Sequence, residues 1–80
     1  MQASGSVSFA LPAPMEVTLE VFDVGGRAVR TLHRGLTAAG IHHVAIRTGP
    51  MDEGGFGSGV YWLQLRAGRE IRRTRLIVIP

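Results

Sequence analysis

Eighty residues, 45% of them hydrophobic and 19% charged, describe one small ordered domain and leave little room for a polar catalytic cavity. Cysteine is absent, which excludes a disulfide framework and a thiolate metal site, and no apolar run approaches the roughly 18–20 residues of a membrane span. The net charge of +3 rests on nine basic residues, all arginine, five of which (Arg66, Arg69, Arg72, Arg73 and Arg75) fall within one ten-residue stretch.

Met1 to Gly5 is small and polar and reads as a linker remnant, with residues 6–80 forming a single domain. It lacks the basic-then-apolar order of a signal peptide, so an exported protein would carry its leader on a longer parent chain. Val7, Phe9 and Leu11 alternate with Ser6, Ser8 and Ala10, and Pro12 and Pro14 end that strand. Val17, Leu19 and Val21 alternate with Glu16, Thr18 and Glu20, the pattern of a strand with one buried and one wet face. Asp23-Val24-Gly25-Gly26-Arg27 then carries the Gly-Gly signal of a hairpin turn. Val29 and Leu32 mark a third strand ending near Arg34-Gly35.

Ala39-Gly40 turns the chain into a strand over 41–47, with His42, Val44 and Ile46 on one face. A glycine-rich loop over 48–59 follows, in which Phe56 is expected to plug the core. Over 60–67, Tyr61, Leu63 and Leu65 point inward, while Val60, Trp62 and Gln64 take the other face. Ala67-Gly68-Arg69 is a tight turn, and 70–79 is the last strand. Helical spacing is nowhere sustained over about eleven residues. The order predicts an all-β, immunoglobulin-like antiparallel β-sandwich of about seven strands.

Chemistry is hard to place on this scaffold. His42 and His43 are neighbours on a strand, so they leave opposite faces and cannot easily grip one metal ion, and His33 is isolated. A triad drawn from Ser58, a histidine and Asp23 or Asp52 lacks a nucleophile elbow. Asp52-Glu53 lack the spacing of a calcium loop. The stretch Gly54 to Gly59 lacks the lysine and helix of a phosphate-binding loop, so its glycines serve a chain turn. No catalytic, cofactor-binding or metal-ligating residue is therefore expected. The arginine run reads as a solvated strand face that discourages edge pairing, with an anionic glycolipid as the alternative contact and no nucleic acid expected. Phe22 and Trp62 project outward and form a candidate stacking platform for sugar rings or a docking patch.

Several strings taken together resemble a known family. Val17-Thr18-Leu19-Glu20-Val21-Phe22-Asp23-Val24-Gly25-Gly26-Arg27-Ala28-Val29-Arg30-Thr31-Leu32 resembles its "V-x-L-x-V-Y-D-x-x-G-R-x-V-x-x-L". Ala39-Gly40-Ile41-His42-His43-Val44 matches "A-G-x-H-x-V", and Ser58-Gly59-Val60-Tyr61-Trp62-Leu63-Gln64-Leu65-Arg66-Ala67-Gly68 matches "S-G-V-Y-x-x-x-L-x-A-G". Thr74 to Ile79 is similar to the closing "T-[RK]-K-x-[VI]-[LV]", and Phe9-Ala10-Leu11-Pro12 to the opening "F-x-L-P". The family is the C-terminal sorting domain of type IX secretion substrates, itself similar to the immunoglobulin-like domain of the flagellar hook-capping protein. Ile46-Arg47 stands where the family commonly has Trp-Asp, and Leu76 where it has Lys.

The resemblance implies a sandwich at the C-terminus of a secreted enzyme or adhesin, recognised by outer-membrane secretion machinery and often cleaved as the cargo is attached to surface lipopolysaccharide. Its recognition elements would be Asp23, Gly26 and Arg27, then Gly59, Val60, Tyr61 and Gly68, then Arg75, Leu76, Ile77, Val78 and Ile79. The expected function is a non-catalytic sorting and cell-surface attachment module of an exported bacterial protein, touching secretion machinery and parent-chain domains. The alternative is a structural spacer or polysaccharide-contacting accessory domain of a polysaccharide-degrading enzyme.

Overall fold

Alternating side chains can bury one face only if their strands pair in a register that keeps all the apolar positions together. The computed structural model, which describes residues 1–3, 5–47, 49 and 55–79, meets that condition with antiparallel pairing throughout. The strands are β1 (Gln2–Ala3), β2 (Ser6–Leu11), β3 (Met15–Phe22), β4 (Ala28–Thr37), β5 (Gly40–Ala45), β6 (Gly59–Ala67) and β7 (Glu70–Val78). Six of these have six residues or more, and β1 is a two-residue pairing against β2 by residues expected to be linker. No helix occurs among the described residues.

One sheet has the order β1-β2-β5 and the other β4-β3-β6-β7. A single apolar cluster joins them, built from Val7, Phe9 and Leu11 of the first and Val17, Leu19, Val21, Leu63, Leu65, Leu76 and Val78 of the second. Tyr61 is half-buried on the same inward side and donates its hydroxyl to the Gly57 carbonyl at 2.7 Å. Removing the Tyr61 ring and this bond together, in Tyr61→Ala, costs about 3 kcal/mol by urea denaturation.

Phe56 is the plug expected of it, 1% exposed within the cluster. Its N–H donates to the Arg47 carbonyl at 2.7 Å, and its own carbonyl accepts from Gly49 at 3.1 Å. Its ring meets Tyr61 edge-on, with centroids 5.6 Å apart, and the Arg30 guanidinium lies 4.8 Å from the ring centre. Backbone approaches so closely here that a Cβ on Gly55 would lie 2.8–2.9 Å from backbone atoms of Gly49.

Several boundaries differ from the sequence reading; the strand expected over 41–47 is β5, Gly40–Ala45, and β6 begins one residue early at Gly59. β4 runs on to Thr37, because β3 pairs along its whole length down to Met15 opposite Thr37, and Gly35 sits inside the strand opposite Val17. The three-residue step from Val29 to Leu32 also has a cause. The register against β3 shifts twice, skipping Leu32 and Val29, and these bulges bring both side chains against the core. β7 ends at Val78, with Ile79 just beyond it.

Gly55→Ala is expected to lower the unfolding free energy by roughly 1–3 kcal/mol, read as a fall in the urea midpoint, as overpacking against backbone displaces the Phe56 plug. An unchanged midpoint would show that this loop yields freely.

Candidate recognition surface

Inward positions on β3, β6 and β7 leave the intervening residues on the outer face of the four-stranded sheet. Register sets them in rows: Val60 opposite Ile77; Phe22, Trp62 and Arg75; Glu20, Gln64 and Arg73; Thr18, Arg66 and Ile71. Trp62 remains 43% exposed and Ile77 60%, with Val60 and Val24 also open to solvent and Phe22 half-buried. These residues make one end of the face apolar. A groove of about 460 Å³ runs there, lined by Phe22, Trp62, Gln64 and Arg73 and by Asp23, Val24 and Gly26 of the adjoining turn.

Gln64 was expected on this outer face, yet it is buried to 7% exposure. The Arg73 Nε donates to its Oε1 at 2.9 Å, so the arginine stem covers the amide. Sequence alternation alone could not reveal that pairing, although the two residues lie directly opposite each other.

The turn beside the groove is held by one carboxylate. Asp23 Oδ1 accepts the N–H groups of Gly25 at 3.0 Å and Arg27 at 2.9 Å, while Arg27 Nε donates to Oδ2 at 3.4 Å. Gly26 completes the turn with a φ of 87°, a left-handed value that costs a side chain dearly. The backbone N–H of Arg27, followed by weaker help from its guanidinium and from Gly25, holds the Asp23 carboxyl below the ordinary carboxylate range. Asp23, Gly26 and Arg27 thus shape the turn, as residues of this type do in loops.

The remaining members of the sequence-derived recognition set separate. Gly59 lies opposite Val78 at the same end of the sheet, and Val60, Arg75 and Ile77 face outward with Phe22 and Trp62. Leu76 and Val78 are core residues, 0% and 5% exposed, and Tyr61 is half-buried opposite Leu76. Of the members on or just beyond the last strand, the exposed side chains are Arg75, Ile77 and Ile79. Gly68, with φ 59° at the first position of the β6–β7 hairpin, is six residues beyond Trp62, roughly 20 Å along the strand.

Of the histidines, His33 and His42 are half-buried, His33 because it follows the β4 bulge to the inner side. Thr37 donates its hydroxyl to the Gly35 carbonyl, so His33 Nε2 donates to Thr37 at 2.7 Å. His42 stacks on Phe9 and donates Nε2–H to the Ala38 carbonyl at 2.7 Å, while His43 faces solvent on the other side. Among the described residues no three metal-ligating side chains gather. Asp23 is engaged in its turn, Ser58 is exposed, and Asp52, Glu53 and Gly54 lie outside the described residues.

No family model, curated protein or solved structure matches this chain.

The Asp23 geometry has a sign in pH. A carboxyl whose folded pKa is depressed adds stability above its unfolded value, and that contribution is lost as pH falls through the folded one. The β3–β4 turn is therefore expected to loosen below the ordinary carboxylate range. NMR titration of the Asp23 carboxyl carbon should show a midpoint lower than in the urea-unfolded chain, and Asp23→Asn should remove the acid dependence of the Gly25 and Arg27 amide shifts.

Proposed function

We propose that this chain is an immunoglobulin-like sandwich acting as a non-catalytic C-terminal module of a larger exported protein. It serves first as a sorting signal for outer-membrane secretion machinery and then as a cell-surface attachment domain. The observation that carries this reading is the open apolar end of the outer face, where Phe22, Val60, Trp62 and Ile77 stand beside a turn stiffened by Asp23 and Gly26. Exposed apolar residues gathered on a small body favour docking to another macromolecule. Strand connectivity supports the immunoglobulin-like part: β3–β4 and β6–β7 are hairpins, and the chain changes sheets after β2, after β4 and after β5. The order of the motifs in the sequence supports the sorting part.

Leu76, at the position where the sorting family carries lysine, is fully buried. In this chain, recognition of the last strand therefore passes through its outward residues and its backbone.

A second reading, contact with polysaccharide, is favoured by the exposed Trp62 ring beside the Gln64–Arg73 pair in the same groove. Sugar sites join an aromatic face to a few fixed polar groups.

Fusion to a periplasmic reporter in a type IX-competent host separates the outcomes. The sorting reading expects reporter that surface protease can reach. Retention in the periplasm with the domain folded rejects it. Affinity electrophoresis on soluble glycans should leave migration unchanged; retardation that Trp62→Ala relieves would replace sorting with the polysaccharide reading.

A further inference from the structure

The four-stranded sheet ends in two edges that differ. β4 is broken by two register shifts against β3, which twist an edge and disrupt further pairing. β7 pairs with β6 through nine consecutive residues, from Glu70 opposite Ala67 to Val78 opposite Gly59, with no shift. Its far side turns alternate N–H and C=O groups away from the sheet. Among the described residues, β1 of the other sheet lies near β7 but pairs with β2, and Met1 lines a cleft with Arg72, Arg73 and Thr74.

On the outer face this edge presents Ile71, Arg73, Arg75 and Ile77 at successive alternate positions, all exposed. Two cations thus lie between two apolar side chains. β6 and β7 carry one carboxylate, Glu70, and it is paired with Arg72 at 3.4 Å. Arg75 has no ion-pair partner among the described residues. We infer that β7 accepts an extended acidic segment of a partner protein as an added strand, with apolar, acidic, acidic and apolar side chains facing Ile71, Arg73, Arg75 and Ile77.

Residues directly opposite across antiparallel strands stand roughly 4.5–5.5 Å apart at Cβ, close enough for opposite charges to pair and like charges to repel. That rule disfavours a second copy as the occupant, since antiparallel self-pairing centred on Thr74 sets Arg73 against Arg75. Main-chain bonds supply the affinity of such an added strand, and alternate side chains choose it. The inference rests on reading the chain as a recognition module, but it needs neither export nor a particular secretion machine.

The test uses the whole chain labelled with ¹⁵N and a short threonine peptide bearing leucine, glutamate, glutamate and leucine at alternate positions. Saturable binding with amide shifts concentrated on β7 is expected. N-methylation of alternate peptide amides should weaken it at least tenfold, and Arg75→Glu by roughly three- to tenfold while favouring the lysine version of the peptide. Arg75→Glu is preferred to a change at Arg73, which also holds Gln64. The inference is overturned if the N-methylated or scrambled peptide binds equally well, if a sulfated polysaccharide binds as tightly, or if the shifts fall around Trp62 instead. Surface delivery of the reporter without peptide binding rejects this inference alone, and peptide binding with periplasmic retention rejects sorting alone.

Discussion

Pairing of β3 with β6 is the constraint on which the rest of this structure depends. Val17, Leu19 and Val21 stand opposite Ala67, Leu65 and Leu63 without a slip, and each inward residue meets another inward residue. A shift by one position would turn the entire apolar set of β3 toward water, because side chains alternate with a period of two. All three β3 residues are at most 1% exposed. The core of so short a chain has little redundancy, since small domains bury a modest share of their surface.

The same register composes the outer face. Once Leu63 and Leu65 are inside, Trp62 must point out, and its partner across the strands is Phe22 on one side and Arg75 on the other. The apolar end of the face and the cationic edge are therefore consequences of core packing, arranged by strands that could not turn otherwise. Both neighbouring connections are short and have defined turn geometry. Asp23 and Gly26 close one, and Gly68 the other. A surface held this way can meet a partner without ordering itself first, which lowers the entropic cost of association.

The two edges of the four-stranded sheet differ through local irregularity. Bulges at Val29 and Leu32 fold extra apolar side chains into the core and spoil β4 as a template for another strand. β7 stays straight, and its arginines oppose pairing with a like-charged copy. One feature of the chain, the cluster of arginine near its end, thereby acts against self-association and leaves a charge pattern that a complementary strand can read.

Much of this was legible in the residues. The strict alternation in 6–11, 15–22 and 60–67 determined which side chains are inside, and Phe56 was marked by being the one large apolar residue among glycines. Gly-Gly at 25–26 and Gly68 marked turns because only glycine takes a left-handed φ cheaply. What escaped were features requiring two strands at once. Gly35 looked like a terminator but pairs inside β4; His33 reached the inner side through a bulge; Gln64 is covered by an arginine nine residues away in the chain. The sequence by itself determined each strand's faces, since periodicity is a property of one segment. Only the tertiary structure decided which strands are edges and which outward residues become neighbours, because adjacency depends on pairing between segments that local spacing does not encode.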